Sequence, residues 1–143
     1  MVQLRNTVRI DASPEAVWEV LGDLAATTEW LPGTVAARMD GQLRTCTTAD
    51  GFDIREEISD YSSEQRSYCF KHLAIPAPVR DSSGSFAVEP ADNGSSQVVL
   101  ATSFEALDLP EEEHVGQMMD GFLQEALESL KRRVEQGARW DAQ

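Results

Sequence analysis

The sequence predicts an α+β domain in which a curved antiparallel sheet of about seven strands wraps one long C-terminal helix, with two short helices after the first strand. Three observations predict it. One alternating segment opens the chain, and strand-like segments fill the stretch from Val35 to Glu105. The pairs Asp40-Gly41 and Asp50-Gly51 punctuate that stretch as tight hairpins require. A single apolar stripe at helical spacing then runs from about Glu111 to Gln136. A long helix laid on a curved sheet leaves a space between the two, and such spaces hold small apolar molecules.

In the first strand Val2, Leu4, Val8 and Ile10 share one parity, interrupted by Asn6. Ser13-Pro14-Glu15 opens a helix. The serine caps it, proline suits a position whose N–H would be unpaired, and the glutamate favours the positive end of the dipole. Val17, Trp18, Val20, Leu21 and Leu24 form its apolar face, Gly22-Asp23 breaks it, and a second short helix runs to Trp30 before Pro32-Gly33 turns the chain. Ser62-Ser63 separates two later strands, and Ala74 to Val79, with Pro76 and Pro78, reads as a loop. Asp92-Asn93-Gly94 marks another hairpin, followed by Val98, Leu100, Thr102 and Phe104 on one parity. Pro110 starts the last helix. Glu111, Glu112 and Glu113 crowd its first turn, and Lys131, Arg132 and Arg133 occupy its last turns, both groups complementing the dipole. At ~1.5 Å per residue it is about 40 Å long, enough to cross a small domain.

The 143 residues, without internal repeat or linker, read as one domain spanning 1–143. A formal charge of −13 argues against nucleic acid or an anionic membrane as partner, since both repel the chain. Cys46 and Cys69 suggest neither a pair nor a metal knuckle and are expected free and reduced. No stretch approaches the ~18 apolar residues of a membrane span, and no leader pattern opens the chain, so a cytoplasmic protein without integral membrane contact is expected.

Several stretches resemble the helix-grip superfamily, also known as SRPBCC. They are Ala12-Ser13-Pro14-Glu15-Ala16-Val17-Trp18, Trp30-Leu31-Pro32-Gly33, Asp50-Gly51 with Glu56 and Ile58 beyond it, and the alternation Arg66, Tyr68, Phe70. That superfamily includes polyketide cyclase/dehydrase-like proteins, the birch-pollen allergen and its relatives, START lipid-transfer domains and plant abscisic acid receptors. The resemblance covers essentially the whole chain and is closest to the bacterial polyketide cyclase/dehydrase-like branch. It implies the fold more than the function, because members range from enzymes to carriers to receptors.

Polar residues on inward strand faces are the candidates for chemistry. Phe52, Ile54, Glu56 and Ile58 share a parity, so Glu56 lies among apolar neighbours. A desolvated carboxylate there suits acid–base work or the anchoring of a polar ligand group. The resemblance implies a pocket position, since the matching glutamate of abscisic acid receptors lines the hormone pocket. The alternative is a buried glutamate paired with an arginine or with waters at the cavity wall. Arg44 shares a parity with Cys46 and Thr48 on the neighbouring strand. Near Glu56 it holds that carboxylate ionised or binds a ligand carboxylate; otherwise it forms a salt bridge at the cavity mouth or surface. Arg66, Tyr68, Phe70 and His72 share the next parity, and the resemblance points Phe70 and His72 into the cavity. His72 is the leading acid–base candidate, against a structural histidine at a strand end. His114, after three glutamates, reads as surface.

Trp30, Tyr61, Tyr68, Phe86 and Phe104, with Met118, Met119 and Phe122 on the helix, are candidates for the apolar lining or for plain core. Gly116 and Gly121 beside the methionines widen an entrance or mark surface fraying. No phosphate-cradling glycine loop, G-x-S-x-G elbow, H-x-x-x-H or C-x-x-C pair is present, so no cofactor and no metal are expected. The expected partner is a small, mostly hydrophobic molecule: a polyketide, aromatic, isoprenoid or lipid-like compound. As a cyclase/dehydrase, the protein would use Glu56, His72 or Tyr68 to move protons. As a carrier or sensor, its Ala74–Val79 loop would close over the ligand. As a protein-interaction domain, its acidic surface would meet a basic partner. A monomer or homodimer is expected in each case.

Overall fold

The computed structural model describes residues 1–141. In chain order the elements are β1 (Val2–Ile10), α1 (Pro14–Leu21), a 3-10 helix (Leu24–Glu29), β2 (Thr34–Asp40), β3 (Leu43–Thr48), β4 (Asp53–Ser62), β5 (Ser67–Ala74), β6 (Val79–Pro90), β7 (Ser96–Ala106) and α2 (Glu112–Gln136). The seven strands form one antiparallel sheet in the order β1-β7-β6-β5-β4-β3-β2. Consecutive strands from β2 to β7 are therefore neighbours, while β1 joins the far side of β7. This is the curved sheet and long C-terminal helix of the helix-grip fold.

Local chemistry explains the turns. Gly41 and Gly51 hold φ of 61° and 91°, a left-handed conformation cheap only for residues without a Cβ, and each closes a hairpin after an aspartate. The Ser13 hydroxyl caps α1 by accepting from the Ala16 N–H. The second short helix is a 3-10 segment kinked at Ala26 rather than a full helix. At the far end a 3-10 turn, Leu109–Glu111, takes up Pro110, so α2 begins at Glu112. Gly137, at φ 69°, caps it by donating to the Arg133 carbonyl.

α2 packs chiefly on β1 and β7. Val115, Met119, Leu123, Ala126, Leu127 and Leu130 are its buried apolar face. Asn6, the polar break in β1, is buried beneath the helix and donates to Asp120 (2.8 Å) and Gln124 (3.3 Å). The Ser129 hydroxyl donates to the Trp30 carbonyl, and Arg133 pairs with Glu29 at 2.8 Å. These bonds fix where the helix lies along the sheet. Among the described residues no helix is long and apolar enough to cross a membrane.

Three sequence expectations need correction. Arg66 does not continue the β5 alternation; it sits in the preceding turn at φ 54° and pairs with Glu15. Phe52 lies outside β4 and is exposed. Tyr61 is no cavity residue: it is 46% exposed, rests on Trp18 and donates to the Gly22 carbonyl at 2.8 Å.

Candidate functional site

Because α2 rests on the β1–β7 side, its other flank stands away from β3, β4 and β5. The gap is a cavity of about 490 Å³, within the ~300–1,000 Å³ typical of small-molecule sites. Trp30 meets Phe86 edge-on at 6.0 Å, Phe86 meets Phe70 at 5.7 Å, and Phe70 meets His72 at 5.4 Å, so a run of rings lines one side. Ile54 continues the apolar wall, and Met119, Leu123 and Ala126 form the roof. The exposed lining residues mark the mouth: Ala49 and Asp50 in the β3–β4 turn, Pro76 in the β5–β6 loop, and Met118 and Phe122 on α2.

Polar side chains gather in one corner of this apolar space. Arg44 and Glu56 are cross-strand partners on β3 and β4, only 3% and 7% exposed. The arginine Nε and Nη2 reach the two carboxylate oxygens at 3.0 and 3.4 Å, a bidentate pair with little freedom to open. Burial works against the Arg44 charge, but the Tyr68 oxygen and Glu56 carboxylate facing it more than offset that loss and hold its pKa above the ordinary value. Glu56 is thus the paired glutamate of the second sequence reading rather than an isolated acid.

His72 completes the corner. Its Nδ1 lies 2.8 Å from the Ser82 hydroxyl, and its Nε2 lies 3.6 Å from Glu56. Burial pushes its pKa below 6.5; Glu56 opposes that shift and Arg44 adds to it. The ring is therefore neutral at neutral pH. In the neutral ring Nδ1 and the Ser82 hydroxyl share one hydrogen bond, and which of them donates follows from the tautomer. Burial also pushes the Cys46 thiol up to about 11, which keeps it protonated and unreactive.

The predicted residues Trp30, Arg44, Cys46, Thr48, Ile54 and Glu56 all line the cavity, as do Phe70, His72, Phe86, Met118, Met119 and Phe122. Two do not. Tyr68 is fully buried behind the wall among Trp18, Tyr61 and Phe86; its hydroxyl has no partner among the described residues, and burial raises its pKa. Phe104 belongs to a separate cluster with Val79, Ala106, Val115 and Met119. Gly116 and Gly121 do not border the cavity either.

Sequence reasoning missed Ser82, the partner of His72. Ser82 shares the parity of Phe86 and Val88, so alternation along β6 was the signal that could have found it. The bulge between Arg80 and Ser83, with Asp81 at φ 52°, instead puts Val79 out of that phase. It also missed Thr27, the segment Leu31–Gly33 and Thr34 at the start of β2, which line the cavity as well.

The sequence profile described as "Polyketide cyclase / dehydrase and lipid transport" matches residues 1–135. No protein of curated function matches the sequence. Among solved structures, XoxI from Bacillus cereus is similar at 22% identity and a TM-score of 0.88, with 95% of this chain and 97% of that one covered. The di-domain ARO/CYC protein BexL of the BE-7585A biosynthetic pathway is similar at 19% identity and 0.83; the match covers 94% of this chain and 47% of BexL. A START superfamily protein from Mycobacterium smegmatis matches at 15% identity and 0.80, over 95% of this chain and 99% of that one.

Proposed function

The chain belongs to the polyketide cyclase/dehydrase and lipid transport family, and on that premise we propose that it binds one small, mostly apolar molecule beneath α2. The observation that carries this reading is the 490 Å³ cavity with a single polar corner at Arg44, Glu56 and His72. An apolar wall supplies most of the affinity, and a few placed polar groups fix the orientation of the ligand. The exposed apolar side chains of Met118 and Phe122 at the mouth favour the entry of an apolar guest. Polyketide, aromatic, isoprenoid and lipid-like compounds all fit that chemistry.

A second reading, turnover, is favoured by the Ser82–His72 contact. With Nδ1–H donated to Ser82, the neutral imidazole can take a proton at Nε2 from carbon beside a ketone. The enolate closes a ring on a second ketone, and the imidazolium returns the proton to the new alkoxide. The hydroxyl so formed leaves as water with a proton from the neighbouring carbon. Holding a polyketone folded in the cavity would supply most of the acceleration, and His72 a further ~10²–10⁴-fold. Glu56, already paired, orients this reaction rather than carrying the proton, and Tyr68 has no access to it.

Native mass spectrometry of protein purified from cells tests both readings. A bound small molecule released unchanged supports a carrier or sensor, whereas conversion on incubation supports turnover. Protein that neither retains such a molecule nor takes up any apolar probe would remove the cavity from consideration.

A further inference from the structure

Resting on the reading of the cavity as a ligand site, we infer that Glu56 is its specificity-determining residue: by neutralising Arg44 it selects ligands whose polar end is an uncharged oxygen group, such as a ketone, enol or phenol, and rejects carboxylates. An arginine in an apolar cavity ordinarily anchors a carboxylate through its planar fork of donors. Here that fork is already occupied by Glu56 at 3.0 and 3.4 Å.

The backbone enforces the occupation. Arg44 and Glu56 face each other in the β3–β4 register and are both buried, so neither can swing into solvent to free the other. A ligand carboxylate placed on Arg44 shares a desolvated corner with the Glu56 carboxylate, and like charges there repel strongly. If it displaced Glu56 instead, it would leave that charge buried and unpaired.

Nothing else in the cavity compensates. Arg44 is the only arginine or lysine among the described lining residues, and Asp50 at the mouth adds a further negative charge. His72 is neutral, and the chain as a whole carries −13. An uncharged oxygen meets no such penalty. Glu56 engages two of the five guanidinium donors, and among the described residues Arg44 makes no further hydrogen bond.

The test is calorimetric titration of the whole protein at neutral pH with a matched pair of probes, methyl naphthyl ketone and naphthoate. The parent is expected to bind the ketone about tenfold more tightly than the carboxylate, or better. Glu56→Gln keeps the shape and an acceptor for Arg44 but removes the charge. It should shift the ratio of naphthoate to ketone affinity about tenfold in favour of the carboxylate. A parent that binds naphthoate as tightly as the ketone overturns the inference and leaves the cavity reading intact. So does a Glu56→Gln protein with an unchanged ratio. Failure of both probes to bind the parent overturns the inference and the cavity reading together. Should Glu56→Gln fail to fold, the ratio measured on the parent decides.

Discussion

Arg44 and Glu56 stand opposite one another on β3 and β4 and meet through two hydrogen bonds, 3.0 and 3.4 Å long. A buried pair of this kind has asymmetric energetics, because losing one partner leaves the other charge without water or counterion. Arg44→Met is therefore expected to destabilise the protein by about 3–5 kcal/mol, whereas Arg44→Met combined with Glu56→Leu restores most of that loss. Urea unfolding of the parent, both single variants and the double variant measures the coupling. A double variant as unstable as Arg44→Met would refute it.

His72 should make stability depend on pH. Burial lowers its folded pKa below 6.5, with Glu56 and Arg44 the charged groups facing it. The unfolded chain then binds the proton more tightly than the folded one. The contribution is complete above the unfolded value and is lost as pH falls through it towards the lower folded value. Between neutral pH and about one unit below 6.5, the parent should lose more stability than His72→Gln. Parallel losses in the two proteins, read by denaturant midpoint at each pH, would contradict this.

Gly84 is a packing requirement of the cavity wall. A Cβ there would lie 2.5 Å from Phe70 Cζ, 2.7 Å from the Ala101 carbonyl oxygen and 2.9 Å from Thr102 Cγ2. The ring can move only by displacing its neighbours, and the carbonyl is held in the sheet. Gly84→Ala should cost about 1–3 kcal/mol by urea unfolding, and a neutral result would mean that the strands separate there more easily than their packing indicates.

Ile54→Trp should fill the cavity from its β4 wall. The expected outcome is an affinity for methyl naphthyl ketone reduced about tenfold or more, with stability changed by about 1 kcal/mol or less. Unaltered affinity would place the probe elsewhere on the protein.

Most of the fold was legible because its signals are local. Asp-Gly pairs mark hairpins, parity marks strand faces, and charge clusters at both ends frame α2. Parity also brought Arg44, Glu56 and His72 to one wall. It failed where the backbone leaves the repeat: Arg66 reads as strand by alternation but turns left-handed, and the bulge between Arg80 and Ser83 puts Val79 out of phase with Ser82, Phe86 and Val88. It also has no information about depth. Tyr68 and Phe70 share a face, yet only Phe70 reaches the cavity, because the position of α2 along the sheet decides which inward residues it covers. That position depends on Asn6, Asp120 and Gln124, which are far apart in the chain.

The placement of β1 has a consequence for assembly. Among the described residues its only strand neighbour is β7, with Val8 opposite Val98, so its partner lies most of the chain away. As the polypeptide emerges, each hairpin from β2 to β7 can form from adjacent segments, while the first strand waits as an unpaired apolar edge open to foreign strands. When β7 arrives one side of the first strand is paired, and α2, which rests on both strands, can dock only afterwards. The roof of the cavity is thus the last part to form, and a guest held beneath it can reward only the completed molecule.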